Sequence, residues 1–329
     1  MKKLNVVGMG NGLVDILVKV SEPLFSSFAM TRGSAEMVDE LTQMQILDSA
    51  GQSGVVLASA GSVANSIIAL AQLGGRGGFL TSIGDDSYGT HFRDEFVAQG
   101  IVLPNLLRVG KMTGTVAVLI TPDGERTMRF HLGAAQYFGP DSIHEDTIRS
   151  AEWLFIEGYL FSNPPSALEG IKKAVYVARE SGTKVALTLS EPWVLANFGE
   201  PIKALLPQVD LVFANEAESC ALTGGVTAED SFKRLKTIVP ECVVTAGAEG
   251  VFVRFAAKEF HTPAFPCTPV DLTGAGDMLA GAFLYGVTNG MSPEVSARGG
   301  CRLAREVISQ VGPRLAKGTK DFWAQALAA

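Results

Sequence analysis

The sequence has few of the residues that stabilise small secreted domains or bind transition metals. Its 329 residues include four cysteines, Cys220, Cys242, Cys267 and Cys301, and no two of them form a C-x-x-C pair. In a chain of this length, isolated cysteines favour reduced thiols over a disulfide framework or a zinc site. The four histidines are also dispersed, and no H-E-x-x-H motif occurs. We therefore expect a cytoplasmic protein without a zinc centre.

Charged residues and long apolar runs are also scarce. Only 19 % of the chain is charged, and 27 Lys and Arg against 34 Asp and Glu give a formal net charge of −7. This balance lacks the basic surface with which proteins bind nucleic acid. The apolar run 4–7 is broken by Gly8, Gly10 and Gly12, and the uncharged stretch 49–75 contains many polar residues. Neither suits a signal peptide or a membrane span, so we expect no nucleic-acid or membrane partner.

Three widespread motifs of nucleotide-binding and hydrolytic enzymes are absent. The glycines of 8–12 do not fit G-x-G-x-x-G, because Leu13 occupies the last position. No G-x-x-x-x-G-K-[ST] sequence occurs, since Gly110 and Lys111 are followed by Met112. No G-x-S-x-G elbow occurs either. These absences argue against a NAD-dependent dehydrogenase, a P-loop NTPase and an α/β-hydrolase.

Glycine, in contrast, is abundant. The chain has 36 glycines, and several cluster beside apolar runs, at 8–12, 247–250 and 274–276. A loop that approaches a ligand closely often needs glycine, because a side chain would occupy the space. These clusters are therefore candidate ligand-binding loops.

Strand-like and helix-like segments alternate along the chain. The pattern predicts strands at 4–7, 78–83, 153–157, 184–189, 211–214 and 243–245, and helices at 62–73, 88–99, 167–181, 275–287 and 293–310. The rhythm is interrupted by a β-branched run at 115–121 and a run of alternating residues at 126–132, which flank a P-D-G-E turn and predict a hairpin. We expect a doubly wound α/β fold, with a mostly parallel sheet flanked by helices and a small discontinuous β-sheet as a lid.

The strongest motif is D-L-T-G-A-G-D at 271–277, which runs into a helix of small residues. Backbone N–H groups at the start of a helix bind phosphate or a developing anion. A carboxylate beside such a site suits a base that takes a proton from an attacking alcohol, which is the role we expect for Asp277. The alternative is that Asp277 only stabilises the helix start while the glycines pack tightly.

This motif resembles the second signature of the ribokinase/PfkB family of sugar and nucleoside kinases. The resemblance implies a ribokinase-like fold, with Asp277 as the catalytic base and an anion hole at Gly274, Ala275 and Gly276. Leu272 departs from the family pattern, which usually has Thr, Ser, Pro or Val at that position.

Two further segments resemble the acceptor-binding loops of the family. Residues 60–66, A-G-S-V-A-N-S, are similar to its first signature, with alanine in place of the first glycine. Residues 8–15, G-M-G-N-G-L-V-D, are similar to the N-terminal loop of the adenosine-kinase-like branch. The resemblance implies that Asn11, Asp15, Gly61 and Asn65 bind the acceptor. For Asp15, a hydrogen bond to nearby backbone at a strand end is the alternative.

Three segments resemble the nucleotide side of the family's site. Asn215 and Glu218 match its N-x-x-E element, which implies that both lie near the phosphates, with Glu218 binding Mg²⁺ through water. The run 244–250 is similar to its nucleotide loop, which implies that Thr245, Gly247 and Gly250 approach ATP. Arg126, in a hairpin resembling the lid of adenosine-kinase-like members, would reach phosphate. An exposed helix start, a plain turn and a solvated arginine are the respective alternatives.

The resemblance covers nearly the whole chain and implies an ATP- and Mg²⁺-dependent kinase that phosphorylates a primary hydroxyl of a nucleoside or a sugar. The alternatives are a free-sugar kinase of the ribokinase or fructokinase type and a non-catalytic binding protein of the same fold. A monovalent cation near Asp271 is left open, as is the choice between a monomer and a homodimer through the lid. We expect 1–10, 46–110 and 136–329 to form the large domain, and 11–45 and 111–135 the lid.

Overall fold

A computed structural model describes residues 2–51, 54–104 and 106–328. Its strands, in chain order, are β1 (Leu4–Met9), β2 (Leu13–Lys19), β3 (Ala35–Met37), β4 (Val56–Ala60), β5 (Gly77–Leu80), β6 (Ser82–Gly84), β7 (Leu106–Arg108), β8 (Gly114–Ile120), β9 (Arg126–His131), β10 (Ala151–Glu157), β11 (Lys184–Thr188), β12 (Leu211–Asn215), β13 (Glu241–Thr245), β14 (Val251–Phe255) and β15 (Lys258–Thr262).

The helices, in chain order, are α1 (Glu22–Ser27), α2 (Glu40–Ala50), α3 (Ser62–Leu73), α4 (Ser87–Ala98), α5 (Glu145–Arg149), α6 (Pro165–Glu180), α7 (Pro192–Leu205), α8 (Glu216–Thr223), α9 (Ala228–Leu235), α10 (Ala275–Thr288), α11 (Pro293–Val307) and α12 (Thr319–Ala328). In the described ranges, no helix is both long and apolar enough to cross a membrane.

The centre of the molecule is an eight-stranded sheet in the order β15-β14-β13-β12-β11-β10-β1-β5. The six strands from β13 to β5 are parallel, and the last two, β14 and β15, form an antiparallel edge. The parallel strands are short and almost wholly apolar, as strands covered on both faces must be. The predicted α/β fold with a mostly parallel sheet is therefore confirmed.

Helices cover both faces of this sheet. On one face α6, α7 and α9 contribute Ile171, Val194 and Phe232 to the core, and on the other α3 and α10 contribute Ile67 and Phe283. Because the parallel strands all point the same way, their carboxyl ends meet at one edge of the sheet. In open sheets of this kind, ligands bind at that edge.

A second sheet of five strands, in the order β3-β9-β8-β2-β4, forms the small β-rich part. The predicted hairpin is its antiparallel pair β8 and β9. Strand β4 pairs with β2 in this sheet, although the predicted boundaries assign 56–60 to the large domain. Strand β4 leads directly into α3, so the two sheets are joined where the first signature begins. The division into domains otherwise stays a prediction.

The predicted strand at 78–83 is two short strands, β5 and β6. Strand β5 joins the large sheet, whereas β6 pairs with β7 in a separate two-stranded sheet. Thr81, between them, is where the chain leaves the large sheet, which apolar composition alone does not reveal.

Candidate active site

Asp277 lies in the first turn of α10, the helix that follows the D-L-T-G-A-G motif. The residue before this helix, Gly274, has a left-handed backbone with φ of 80°. A Cβ at Gly274 would lie 2.4 Å from the carbonyl oxygen of Pro313, so only glycine fits this turn. The N–H of Ala275 donates to the carbonyl oxygen of Leu272 over 3.4 Å, and that of Gly276 belongs to the first turn of α10, where N–H groups have no partner within the helix. This is the geometry of an anion-binding helix start.

The Asp277 carboxylate accepts hydrogen bonds from two residues of α3. Ser62 Oγ donates over 2.5 Å and Asn65 Nδ2 over 2.8 Å. Burial raises the pKa of Asp277 to about 6, even though both hydrogen bonds lower it. A carboxylate with a pKa just below neutrality is ionised at pH 7 and is a stronger base than an exposed aspartate.

Of the acceptor-side residues predicted from the two loops, Asn65 bonds directly to Asp277, and Gly61 brings the two loops close together. Asn11 follows β1 at the carboxyl edge of the large sheet, and Asp15 lies on β2. Gly61 precedes α3 with φ of 118°, and a Cβ there would lie 2.7 Å from the carbonyl oxygen of Asn11. Burial raises the pKa of Asp15 to about 6, while the charges of Arg126 and Arg314 lower it. The close approach of Gly61 explains why this position is glycine.

Two buried residues that the sequence analysis did not identify hold the acceptor loops together. Glu157, at the end of β10, accepts the N–H of Asn11 over 3.3 Å and the N–H of Val63 over 3.2 Å. Burial raises the pKa of Glu157 to about 7, against the effect of these hydrogen bonds. Asn163 Nδ2 donates to Asn11 Oδ1 over 2.8 Å. A polar residue directly after an apolar strand is the only sequence signal that marks Glu157.

A cavity of about 500 Å³ lies on the other side of the start of α10. This volume is within the range of small-molecule sites. Its walls are mostly apolar, and they include all three predicted residues of the nucleotide loop together with the helix start: Thr245, Gly247, Gly250, Leu272, Ala275 and Gly276. Leu272, the departure from the family motif, is therefore a wall of this cavity.

Asn215 and Glu218 form a reciprocal cap at the start of α8. Asn215 Oδ1 accepts the N–H of Glu218 over 2.8 Å, and Glu218 Oε2 accepts the N–H of Asn215 over 3.0 Å. Glu218 Oε1 also accepts from Asn215 Nδ2 over 2.7 Å. Burial, together with the nearby carboxylates of Glu191 and Asp277, raises the pKa of Glu218 to about 7, against the effect of the hydrogen bond from the N–H of Asn215. The pair thus caps a helix and also adds negative charge beside Asp277.

Arg126, on the small sheet, pairs with Asp271 at the start of the motif. The distance from Nη1 to Oδ2 is 2.6 Å, and the two side chains are 12 % and 11 % exposed. The predicted lid arginine is therefore not solvated. Burial alone would raise the pKa of Asp271, but hydrogen bonds from Thr273 and Gly312 and the charge of Arg126 hold it below its usual value.

A buried carboxylate at a helix start, beside a cavity of nucleotide size and a set of polar loops, is the arrangement expected of a kinase that moves a phosphoryl group to an alcohol. The chain belongs to the pfkB family of carbohydrate kinases, whose profile matches residues 34–319. It is an ATP-dependent kinase, as the resemblance implied.

Individual relatives agree with this assignment. The chain is 27 % identical to adenosine kinase of Saccharomyces cerevisiae over 329 residues, which cover 94 % of this chain and 96 % of that protein. It is 26 % identical to ribokinase of Haemophilus influenzae over 272 residues, which cover 80 % and 86 %. The crystal structure of adenosine kinase from Sinorhizobium meliloti superposes with a TM-score of 0.88 and 30 % identity, covering 99 % of this chain and 100 % of that one.

Proposed function

We propose that this kinase transfers the γ-phosphate of ATP to a primary hydroxyl of a nucleoside, with an adenosine-like acceptor. The observation that carries the proposal is the position of Asp277. Its carboxylate accepts hydrogen bonds from Ser62 and Asn65 of the predicted acceptor loop, while Ala275 and Gly276, which precede it on α10, line the cavity. A base in that position can contact an alcohol that attacks a phosphate bound in the cavity.

In the proposed reaction, the acceptor oxygen bonds to the γ-phosphorus while the bond from phosphorus to the β,γ-bridging oxygen breaks. ADP leaves with the electron pair, and the Asp277 carboxylate takes the proton of the alcohol. The N–H groups of Gly274, Ala275 and Gly276 stabilise the charge on the transferring phosphoryl oxygens. Asp15 accepts hydrogen bonds from acceptor hydroxyls, and Asn11, Gly61 and Asn65 complete the acceptor site.

The chemistry of the residues near the phosphates fits Mg²⁺. Within residues 2–51, 54–104 and 106–328, no three His, Cys, Asp or Glu side chains form a metal site. Mg²⁺ usually keeps several waters and binds mainly to substrate phosphates and one or two carboxylates. Glu218, with Asn215 behind it, would hold such an ion through water. When bound, Mg²⁺ neutralises charge on the phosphate oxygens.

A monovalent cation does not fit Asp271 in this arrangement. Oδ1 accepts the N–H and the hydroxyl of Thr273, over 2.9 Å and 2.6 Å, and Oδ2 accepts from Arg126 and from the N–H of Gly312. A carboxylate has about four lone-pair directions, and all are used. The proposed mechanism therefore contains no step that depends on such an ion.

The preference for a nucleoside over a free sugar is supported by adenosine kinases that match almost the whole chain, and the curated ribokinase match is shorter. A probable sugar kinase of Rhizobium etli also matches the whole chain, with a TM-score of 0.90, so the panel of acceptors decides between the two. Asp15 and Asn11 bind hydroxyl groups, which a nucleoside and a sugar both carry. The acceptor is a small molecule in either case. Cytoplasmic localisation, and a monomer or a homodimer through the small sheet, stay predictions.

The test is an ADP-release assay with adenosine, inosine, ribose and fructose as acceptors. Fastest turnover with adenosine supports the proposal, and fastest turnover with ribose or fructose replaces it with a sugar kinase. Acceptor binding without ADP release would identify a non-catalytic binding protein. The Asp277→Asn variant serves as the matched control, because it retains the fold and lacks the base.

A further inference from the structure

One buried arginine from the end of the chain contacts the acceptor region. Arg314 follows α11 in the segment before α12, and its side chain is 12 % exposed. Its Nε donates to Asn65 Oδ1 over 2.8 Å, and its Nη1 donates to Glu95 Oε1 over 2.6 Å. Its Nη2 donates to the carbonyl oxygen of Ser59. All three nitrogens of the guanidinium therefore have partners.

The contact with Asn65 fixes the orientation of an amide in the site. A guanidinium can only donate hydrogen bonds, so it requires the oxygen of the Asn65 amide. The NH₂ group of Asn65 must then point the other way, where it donates to Asp277 Oδ2 over 2.8 Å. If the amide turned over, its oxygen would face the carboxylate. Arg314 thus determines what Asp277 receives from Asn65.

The guanidinium is itself held in place. Glu95, on α4, also accepts the N–H of Ser59 over 2.9 Å and its hydroxyl over 2.7 Å. Leu315, the next residue, is buried, and its carbonyl oxygen accepts from Gln72 Nε2 on α3 over 2.9 Å. Arg314 therefore has a defined position relative to α3, α4 and β4.

The charge of Arg314 acts on both aspartates of the site. Burial raises the pKa of Asp15 and of Asp277, and the charge of Arg314 opposes this rise, so that each pKa is about 6. Arg126 acts in the same way on Asp15. Asp277 in turn contributes to raising the pKa of Glu157 and of Glu218. Arg314 is therefore the positive charge that the two aspartates share.

We propose that Arg314 is a positioning residue for phosphoryl transfer, which orients the Asp277 carboxylate through Asn65 and keeps Asp15 and Asp277 ionised as the acceptor binds. It acts on Asp277 through Asn65 and through its charge. The inference rests on the proposed function, because that function gives Asp277 the role of base and Asp15 a role in acceptor binding. The segment that carries Arg314, G-P-R-L-A at 312–316, has no recognisable motif.

The test compares Arg314→Gln and Arg314→Lys with the wild type in the dependence of kcat and kcat/KM on pH. Arg314→Gln removes the positive charge. The acidic limb of the kcat/KM profile should therefore shift to higher pH, by about one pH unit. It should also lower kcat by about tenfold or more, because the base is misoriented. Arg314→Lys retains the charge but loses the planar fork. We expect it to keep the acidic limb while kcat still falls.

Arg129→Gln is the matched control. Arg129 is also buried, but its guanidinium contacts Ser34, the carbonyl oxygen of Met128 and Glu36, away from the site. It should lower the unfolding temperature without moving the acidic limb. If Arg314→Gln behaves like this control, Arg314 has only a structural role and the inference is wrong.

Two further outcomes separate the inference from the proposed function. If Arg314→Gln does not fold, the test rests on Arg314→Lys. A wild-type kcat for Arg314→Lys would then overturn the inference. If Asp277→Asn retains normal turnover, the proposed mechanism fails and the inference fails with it. If Asp277→Asn is inactive while both Arg314 variants have wild-type profiles, only the role of Arg314 is lost.

Discussion

The guanidinium of Arg126 lies 2.6 Å from the carboxylate of Asp271, and this pair connects the small sheet to the loop that precedes α10. Arg126 starts β9, whereas Asp271 is 145 residues further along the chain. Both side chains are largely buried, so the pair is shielded from solvent and salt.

The pair should therefore couple the position of the small sheet to catalysis. We expect Arg126→Gln and Asp271→Asn each to lower kcat/KM, and the double variant to lose little more than either single one. The coupling free energy should be roughly 1–3 kcal/mol, as is usual for residues in direct contact. Steady-state kinetics on the four proteins measures it. Additive effects would mean that the pair plays no part in turnover.

Removal of the proposed base should abolish most of the activity. General-base catalysis contributes about 10²–10⁴-fold, so Asp277→Asn should lower kcat by at least roughly 10²-fold. ATP binding, measured by calorimetry, should change little, because the nucleotide cavity is lined by Thr245, Gly247 and Gly250. A variant that turned over at the wild-type rate would exclude Asp277 as the base.

Activity should fall in acid because two carboxylates must be ionised. The pKa of Asp277 and that of Asp15 are both raised to about 6 by burial. Each group must lose its proton to act, so kcat/KM should fall as the pH drops through about 6. The profile is recorded with saturating ATP and limiting acceptor.

Asp15→Asn provides the control for this profile. It should raise KM for the acceptor and leave KM for ATP unchanged. The acidic limb should also become less steep, as expected when only one carboxylate must lose its proton. An unchanged acceptor KM would remove Asp15 from the acceptor site.

Glu157 should make the stability of the protein depend on pH. Its pKa rises from 4.5 to about 7 on folding because the carboxyl is buried. A raised pKa means that the folded state binds the proton more tightly, so this stabilisation is complete below about 4.5 and is lost as the pH rises through about 7.

Glu157→Gln cannot ionise, so its stability should lack this dependence. As the pH rises from about 4.5 to about 7, the free energy of unfolding of Glu157→Gln minus that of the wild type should therefore increase by up to about 3 kcal/mol. Urea unfolding of both proteins at several pH values measures the difference. Parallel curves for the two proteins would contradict the prediction.

The parts of the fold and the site that follow local rules were predictable from the sequence. The apolar runs that became β1 and β10 and the periodic segment that became α3 needed only short-range patterns. Asp277, Gly274 and Gly276 lie in one contiguous motif whose chemistry can be read locally. By contrast, β3 has only three residues, all exposed, and therefore carries no hydrophobic pattern.

Residues that meet only in three dimensions were missed for a physical reason. Glu157 bonds to Asn11 across 146 positions, and Asn163 bonds to Asn11 across 152. Each is a single polar residue whose role depends on which backbone groups the fold brings to it. No local pattern encodes such a partner, so only the structure reveals that these residues hold the acceptor loops.

The contact between Arg314 and Asn65 spans 249 positions. On a ribosome, α3 and the substrate loops emerge long before residue 314 leaves the exit tunnel. Until then the Asn65 amide is held only by its hydrogen bond to Asp277, and Glu95 has no guanidinium to neutralise it. The acceptor site is therefore among the last features of the molecule to form, and a chain arrested late in synthesis would have its nucleotide loop and catalytic helix but an unfinished acceptor site.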